Sequence, residues 1–204
     1  MTISVHENDL PQGRDLGPTI AVDSETMGLD PRRDRLCVVQ LSAGDGTAHL
    51  VRLARGTTEA PRLAAQLGDP ARLKLFHYAR FDVAVLRHHL GIAATPLFCT
   101  KIASRLVRTY TDRHGLKDLC RELLGIDLSK SEQSSDWGAP SLSDAQQRYA
   151  AQDVLHLHAL KERLEAMLLR EERLALAQAC FDFLPARVAL DLEGWPDIDI
   201  FAHS

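Results

Sequence analysis

Residues 19–29 read TIAVDSETMGL. Side chains alternate across a strand, so Ile20 and Val22 share one face while Asp23 and Glu25 share the other. Two carboxylates at i and i+2 on one face repel each other. Packing them side by side is costly unless a cation sits between them. The apolar lead-in, the acidic pair and the immediate turn at Gly28 together predict a metal platform at the end of a strand. A lone Asp-x-Glu also fits an ordinary solvated strand end, and the rest of the chain decides between the two.

Outward from this stretch, ISV within residues 1–9 offers an edge strand, followed by a Pro/Gly-rich turn from Pro11 to Pro18. LCVVQL, from Leu36 to Leu41, is apolar and β-branched enough for a central strand. Gly44-Asp45-Gly46 makes a hairpin turn, and Thr47 to Leu53 returns, so the chain opens as an antiparallel meander. The pattern then changes. Helices are predicted over Glu59 to Leu67, Asp82 to Leu90, Lys101 to Tyr110 and Leu116 to Leu124, with Gly68, Gly91 and Gly125 as stops. Leu73 to Phe76 and Leu97 to Thr100 read as short strands. Ser143 and Gln146 form a capping box that opens a long helix towards Arg170. A last helix runs from Glu171 to about Phe183, where Pro185 interrupts it. This order of meander, strand–helix units and helices predicts one α/β domain over residues 1–204 with a mixed sheet.

Composition sets bounds. The 204 residues are 45% apolar, enough for a sizeable core. The N-terminus MTISVHENDL lacks the apolar stretch of a signal peptide, and no run approaches a membrane span. Cys37, Cys99, Cys120 and Cys180 stand far apart without a C-x-x-C, which reads as buried free thiols in a reducing, cytoplasmic setting. The net charge of -4 lacks the basic surface of a protein that coats long nucleic acid. A nucleic-acid substrate is therefore expected to be short or held in a local pocket.

Three further motifs carry chemistry. His77-Tyr78-Ala79-Arg80-Phe81-Asp82 follows a strand and opens a helix, placing Asp82 in a first turn where an anion is stabilised. Tyr149 and Asp153 lie at i and i+4, one turn apart on one helix face; a phenol beside a carboxylate can orient a water while the carboxylate holds a cation. Lys130 to Trp137, KSEQSSDW, is a polar loop ending in a tryptophan, suited to a phosphate and a sugar. Each alone has a plainer reading as a helix start, a surface pair or a solvated loop.

The motifs occur in one chain order, and the set is far more specific than its parts. It resembles the DEDD superfamily of 3′–5′ exonucleases, in the form with a tyrosine in the third motif, and the QSSDW segment makes it similar to the ribonuclease D type. The resemblance spans Thr19 to about Arg170 and implies a ribonuclease H-like α/β fold, a mixed five-stranded sheet flanked by helices. It implies four carboxylates, Asp23, Glu25, Asp82 and Asp153, holding two divalent ions, Mg²⁺ or Mn²⁺, with Asp23 bridging both, Asp153 on the nucleophile side and Asp82 on the other. Tyr149 orients a water, because a phenol is a poor base at neutral pH. The products are 5′-mononucleotides.

RLCVVQLSAGDGTA, FCTKIASRL, RTYTDRHGLK and GWPDIDIFAHS are similar to the short, nanoRNase-type members of this group, which lack the helical nucleic-acid-binding domains of full-length ribonuclease D. That likeness implies a preference for dinucleotides such as pGpG and a closed octameric homo-oligomer. Leu29 is expected to wedge between two bases or, in the plainer reading, to be a core leucine. Thr26, Met27, Gly28, His77, Tyr78, Arg80, Phe81 and Trp137 are expected around the substrate. Lys130, Gln133, Ser134 and Ser135, and more weakly Arg113 and His114, are candidates for a 5′-phosphate pocket. Residues from about 171 to 204, with apolar Trp195, Ile198, Ile200 and Phe201, are expected in subunit contacts. A general 3′–5′ trimming exonuclease and a non-catalytic nucleic-acid-binding module are the competing readings.

Overall fold

The computed structural model describes residues 1–129 and 135–203. Six strands form one sheet: β1 (Thr2–Glu7), β2 (Thr19–Thr26), β3 (Leu36–Ser42), β4 (Thr47–Arg52), β5 (Leu73–Phe76) and β6 (Leu97–Cys99), in the order β1-β4-β3-β2-β5-β6. β2, β3 and β4 are the antiparallel meander, while β5 and β6 extend the sheet in parallel beyond β2. The expected count of five strands is one short. β1 pairs in parallel along the whole of β4, from Thr2 opposite Thr47 to Glu7 opposite Arg52. Its side chains are exposed or half-buried, so the ladder rather than an apolar pattern defines it.

The helices are α1 (Pro61–Leu67), α2 (Ala79–Leu90), α3 (Thr100–Val107), α4 (Leu116–Leu119), α5 (Asp144–Leu155), α6 (Leu157–Arg170) and α7 (Leu174–Glu193); α4 runs on into a π turn at Cys120–Leu124. The Ser143–Gln146 capping box is present at the start of α5. The long helix expected behind it breaks at His156, because α5 crosses β2, β3 and β4 whereas α6 packs on α3 and β5. One straight rod cannot serve both surfaces. Conversely, α7 continues through Pro185. Its buried Phe181, Leu184 and Val188 each supply about 1.5–3 kcal/mol, which outweighs a proline penalty of about 3 kcal/mol.

Two features aim β2 at the site. Its ladder with β3 is interrupted by a bulge between Glu25 and Thr26, which bends the strand as it leaves the acidic pair. Gly28 then allows a close turn: a Cβ there would lie 2.2 Å from Asp34 Oδ2. That same oxygen accepts from the Asp30 N–H at 2.9 Å, and the loop so closed pushes Leu29 outward.

Polar groups buried by the fold are mostly paired. Asp9 caps α1 from fifty residues upstream, accepting from the N–H groups of Arg62 and Leu63. Lys74 is fully buried and donates to the carbonyls of Asp69, Arg72 and Thr95. All four cysteines are free, three of them buried, and no described helix is long and apolar enough to cross a membrane.

Candidate active site

Asp23 and Glu25 project from one face of β2, the face crossed by α5. Helix α5 brings Asp153 to them, and one carboxylate oxygen from each of the three lies within 4.8 Å of the others. Between the two acids, the Ser24 hydroxyl donates to Asp82 Oδ1 at 2.6 Å. Asp82, in the first turn of α2, is only 2% exposed. The sequence expectation put four carboxylates in one cage. The structure brings three together within 4.8 Å and holds Asp82 against the Ser24 hydroxyl, near enough for its charge to act on Glu25 and for that of Asp23 to act on it.

Burial pushes the Asp23 carboxyl up to about 7. It pushes Glu25 up to about 10, with Asp23, Asp153 and Asp82 adding their repulsion. Burial and the Asp23 charge raise both Asp82 and Asp153 well above the usual carboxylate range. Among the described residues no Lys or Arg offsets these charges. A converging set of hard, mutually repelling oxygen donors fits divalent ions of the Mg²⁺ kind. Tyr149 stands one turn from Asp153. Its ring packs 6.0 Å from Trp137 at 42°, and burial together with the three acids raises its hydroxyl above the usual phenol range.

The acids form the floor of a cleft of about 710 Å³. Thr26, Met27, Gly28, Leu29, His77, Tyr78, Phe81, Ser135 and Trp137 line it. Leu29 is 88% exposed, so it is a rim side chain and not a core leucine. Arg80 is a correction. Its guanidinium is held by Asp191 through two hydrogen bonds of 2.6 and 2.8 Å and by the Pro196 carbonyl at 2.5 Å. It faces a second, smaller groove and ties the C-terminal segment to α2. Lys130, Gln133 and Ser134 lie outside the described residues. Arg113 and His114 are not among the lining residues: His114 bonds Ser104, and the Arg113 carbonyl accepts from Arg108.

The residues just beyond them were missed. Gly115 to Asp118, together with Lys101, Leu128 and Ser129, complete the wall. Gly115, Leu116 and Lys117 lie inside the TDRHGLK stretch and Lys101 inside FCTKIASRL, but neither stretch singles them out as site residues. Lys101 and Lys117 give the cleft positive charge among the described residues, and Lys101 Nζ sits 4.4 Å over the Tyr78 ring. Tyr78 itself adopts φ 70°, a left-handed conformation unusual for a tyrosine, which costs about 1–2 kcal/mol. The start of α2 holds it there.

His77 is tuned to stay neutral, its pKa pushed down to about 3 by burial, with Lys101 adding to the effect. The Thr100 hydroxyl donates to the Phe76 carbonyl at 3.1 Å. It must therefore accept from His77 Nδ1–H, 2.9 Å away. That fixes the tautomer and leaves His77 Nε2 as an acceptor.

A family model described as a 3′–5′ exonuclease matches residues 8–169. The chain belongs to the 3′–5′ exonuclease family. This exonuclease is 38% identical over 157 residues to ribonuclease D of Acidiphilium cryptum, a match that covers 77% of the chain and 40% of the relative. The chain thus spans about two fifths of the length of the curated relatives it matches. Among solved structures it is similar to Brucella melitensis NrnC with bound Mg²⁺ (55% identity, TM-score 0.96) and to Brucella melitensis NrnC bound to pGG (56%, 0.97). Both matches cover the whole of each chain. The exonuclease is therefore of the ribonuclease D-like type, and its mixed α/β sheet is that of its structural neighbours.

Proposed function

We propose that this protein is a metal-dependent 3′–5′ exoribonuclease that hydrolyses short RNA, dinucleotides first, to 5′-mononucleotides, as one domain over residues 1–204. The observation that carries the reading is the convergence of Asp23, Glu25 and Asp153 on the floor of a cleft. The full-length likeness to a Brucella protein bound to pGG supports the substrate.

Asp23, Glu25 and Asp153 would hold the cations, Mg²⁺ or Mn²⁺, with Asp82, anchored by Ser24, contributing. Bound ions supply Lewis acidity and charge neutralisation for in-line displacement at phosphorus. Tyr149, whose phenol stays protonated at working pH, donates a hydrogen bond that orients the attacking water. Leu29 inserts between the two bases, and Tyr78, buttressed by Lys101, stacks on one of them. Lys101 and Lys117, with Ser135, contribute to the 5′-phosphate neighbourhood beside the candidates Lys130, Gln133 and Ser134. His77 Nε2 accepts from a ribose hydroxyl, since a neutral acceptor repels phosphate oxygen.

The net charge of -4 suits a substrate with one or two phosphates, whose binding depends weakly on salt. Trp195, Ile198, Ile200 and Phe201 are largely exposed, Phe201 at 75%. Such an apolar strip supports a homo-oligomer, an octameric ring by analogy with the family's short members. Reduced thiols and an RNA substrate fit a cytoplasmic location.

Initial rates with Mg²⁺ on 5′-phosphorylated RNAs of two to seven nucleotides test this. The reading expects the dinucleotide to be cleaved fastest, by at least about tenfold. Rates that rise with length, with a steady ladder of products, favour the general trimming enzyme instead.

A further inference from the structure

We infer that Gln40 is a positioning residue for Asp23: its side-chain amide donates to the ionised Asp23 carboxylate and holds it in place for divalent cations. This rests on the reading of the cleft as a metal site. Gln40 lies in the middle of β3 with no exposed surface. Neither its Nε2 nor its Oε1 has a hydrogen-bond partner among the described residues. Buried amides are almost always paired, and leaving one unpaired costs about 1–3 kcal/mol. A chain that keeps glutamine there needs a reason.

The register supplies one. Gln40 stands directly opposite Asp23 on β2 and opposite Leu50 on β4. Directly opposed residues share a face, with Cβ atoms about 4.5–5.5 Å apart. Packed on this side are Val38 on the same strand, Leu50, Trp137 and Ala150 of α5, with Tyr149 against them, and the ladder sets the Asp23 carboxyl beside the amide. Ser42, two residues on, already donates its hydroxyl to the Thr47 carbonyl. Asp23 is thus the acidic group beside the amide, and a carboxylate has acceptor sites to spare when ionised.

With cations in the cleft, a hydrogen bond from the amide to the ligating Asp23 carboxylate would be charge-assisted. Partners of this kind orient ligating carboxylates, and losing one typically weakens metal binding by about 10–100-fold. Methionine has the length of glutamine without its polar atoms, so it separates packing from hydrogen bonding.

The test is Gln40→Met, with Gln40→Leu as a second variant, in the full chain. Cooperative unfolding is checked first, and Mg²⁺ binding is then titrated calorimetrically. The expected result is a metal-free melting temperature equal to or above wild type, because an unpaired amide has gone. It is joined by an Mg²⁺ dissociation constant raised at least about tenfold. Variants that fold and bind Mg²⁺ within about twofold of wild type overturn the inference, as does a loss of metal-free stability with metal affinity unchanged. A wild-type protein that binds no Mg²⁺ overturns the proposed function itself.

Discussion

The Ser24 hydroxyl donates to Asp82 across 2.6 Å and so joins the middle of the acidic strand motif to the first turn of α2. One strand thereby presents two acids to the cleft and, through the serine between them, anchors a third. Ser24→Ala leaves the buried Asp82 without that partner. We expect a stability loss of about 1–3 kcal/mol, read as a lower urea midpoint, and roughly a tenfold fall in kcat as Asp82 loses its fixed position. An unchanged midpoint contradicts this role.

The acidic cluster makes metal-free stability fall with rising pH. The Asp23 carboxyl is raised to about 7 and Glu25 to about 10 in the folded protein, against roughly 4 in an unfolded chain. Folded protein therefore retains protons that the unfolded chain has released. The stabilisation this gives is complete below about pH 4 and is lost as pH rises through the folded values. Asp23→Asn should flatten that slope between about pH 5 and pH 8. Mg²⁺ acts in the opposite sense, since it needs deprotonated ligands. Its stabilising shift should grow over the same range in wild type and vanish in Asp23→Asn. Differential scanning fluorimetry at several pH values reads both effects.

Tyr149→Phe keeps the ring against Trp137 and removes only the hydroxyl. We expect kcat to fall by about 10²-fold, the lower range for a positioned proton-handling group, with melting temperature and Mg²⁺ affinity near wild type. The phenol is raised above its ordinary range, so wild-type kcat should show no alkaline limb that disappears in the variant. Such a limb in a pH–rate series would make Tyr149 a base rather than an orienting donor.

His77, with its pKa near 3, carries no charge at working pH. KM for the dinucleotide should therefore not rise as pH passes through about 6.5, where an ordinary histidine loses its proton. His77→Phe should raise KM by roughly tenfold, about one hydrogen bond, with a smaller change in kcat. A wild-type KM that climbs steeply through that pH range assigns the ring to the phosphate instead.

Much of this was legible in the sequence because it depends on short-range periodicity. Strand alternation separates Asp23 and Glu25 from Ile20 and Val22, and helical spacing pairs Tyr149 with Asp153. What was not legible depends on distant partners. Nothing near Arg80 announces that Asp191 and Pro196, more than a hundred residues on, occupy its guanidinium. Lys101 and Lys117 lie in stretches the sequence marks, but that they line the cleft depends on how α3 and α4 pack. The break at His156 and the passage of α7 through Pro185 reflect which surfaces the helices cover, and tertiary packing overrides local propensity at both points.

The most direct measurement is an anomalous difference map from a crystal soaked in Mn²⁺. Two peaks about 4 Å apart, enclosed by Asp23, Glu25 and Asp153 on the side of the strand facing Tyr149, are the predicted result. Density for manganese only elsewhere on the molecule, with the three carboxylates left without an ion, would contradict the account.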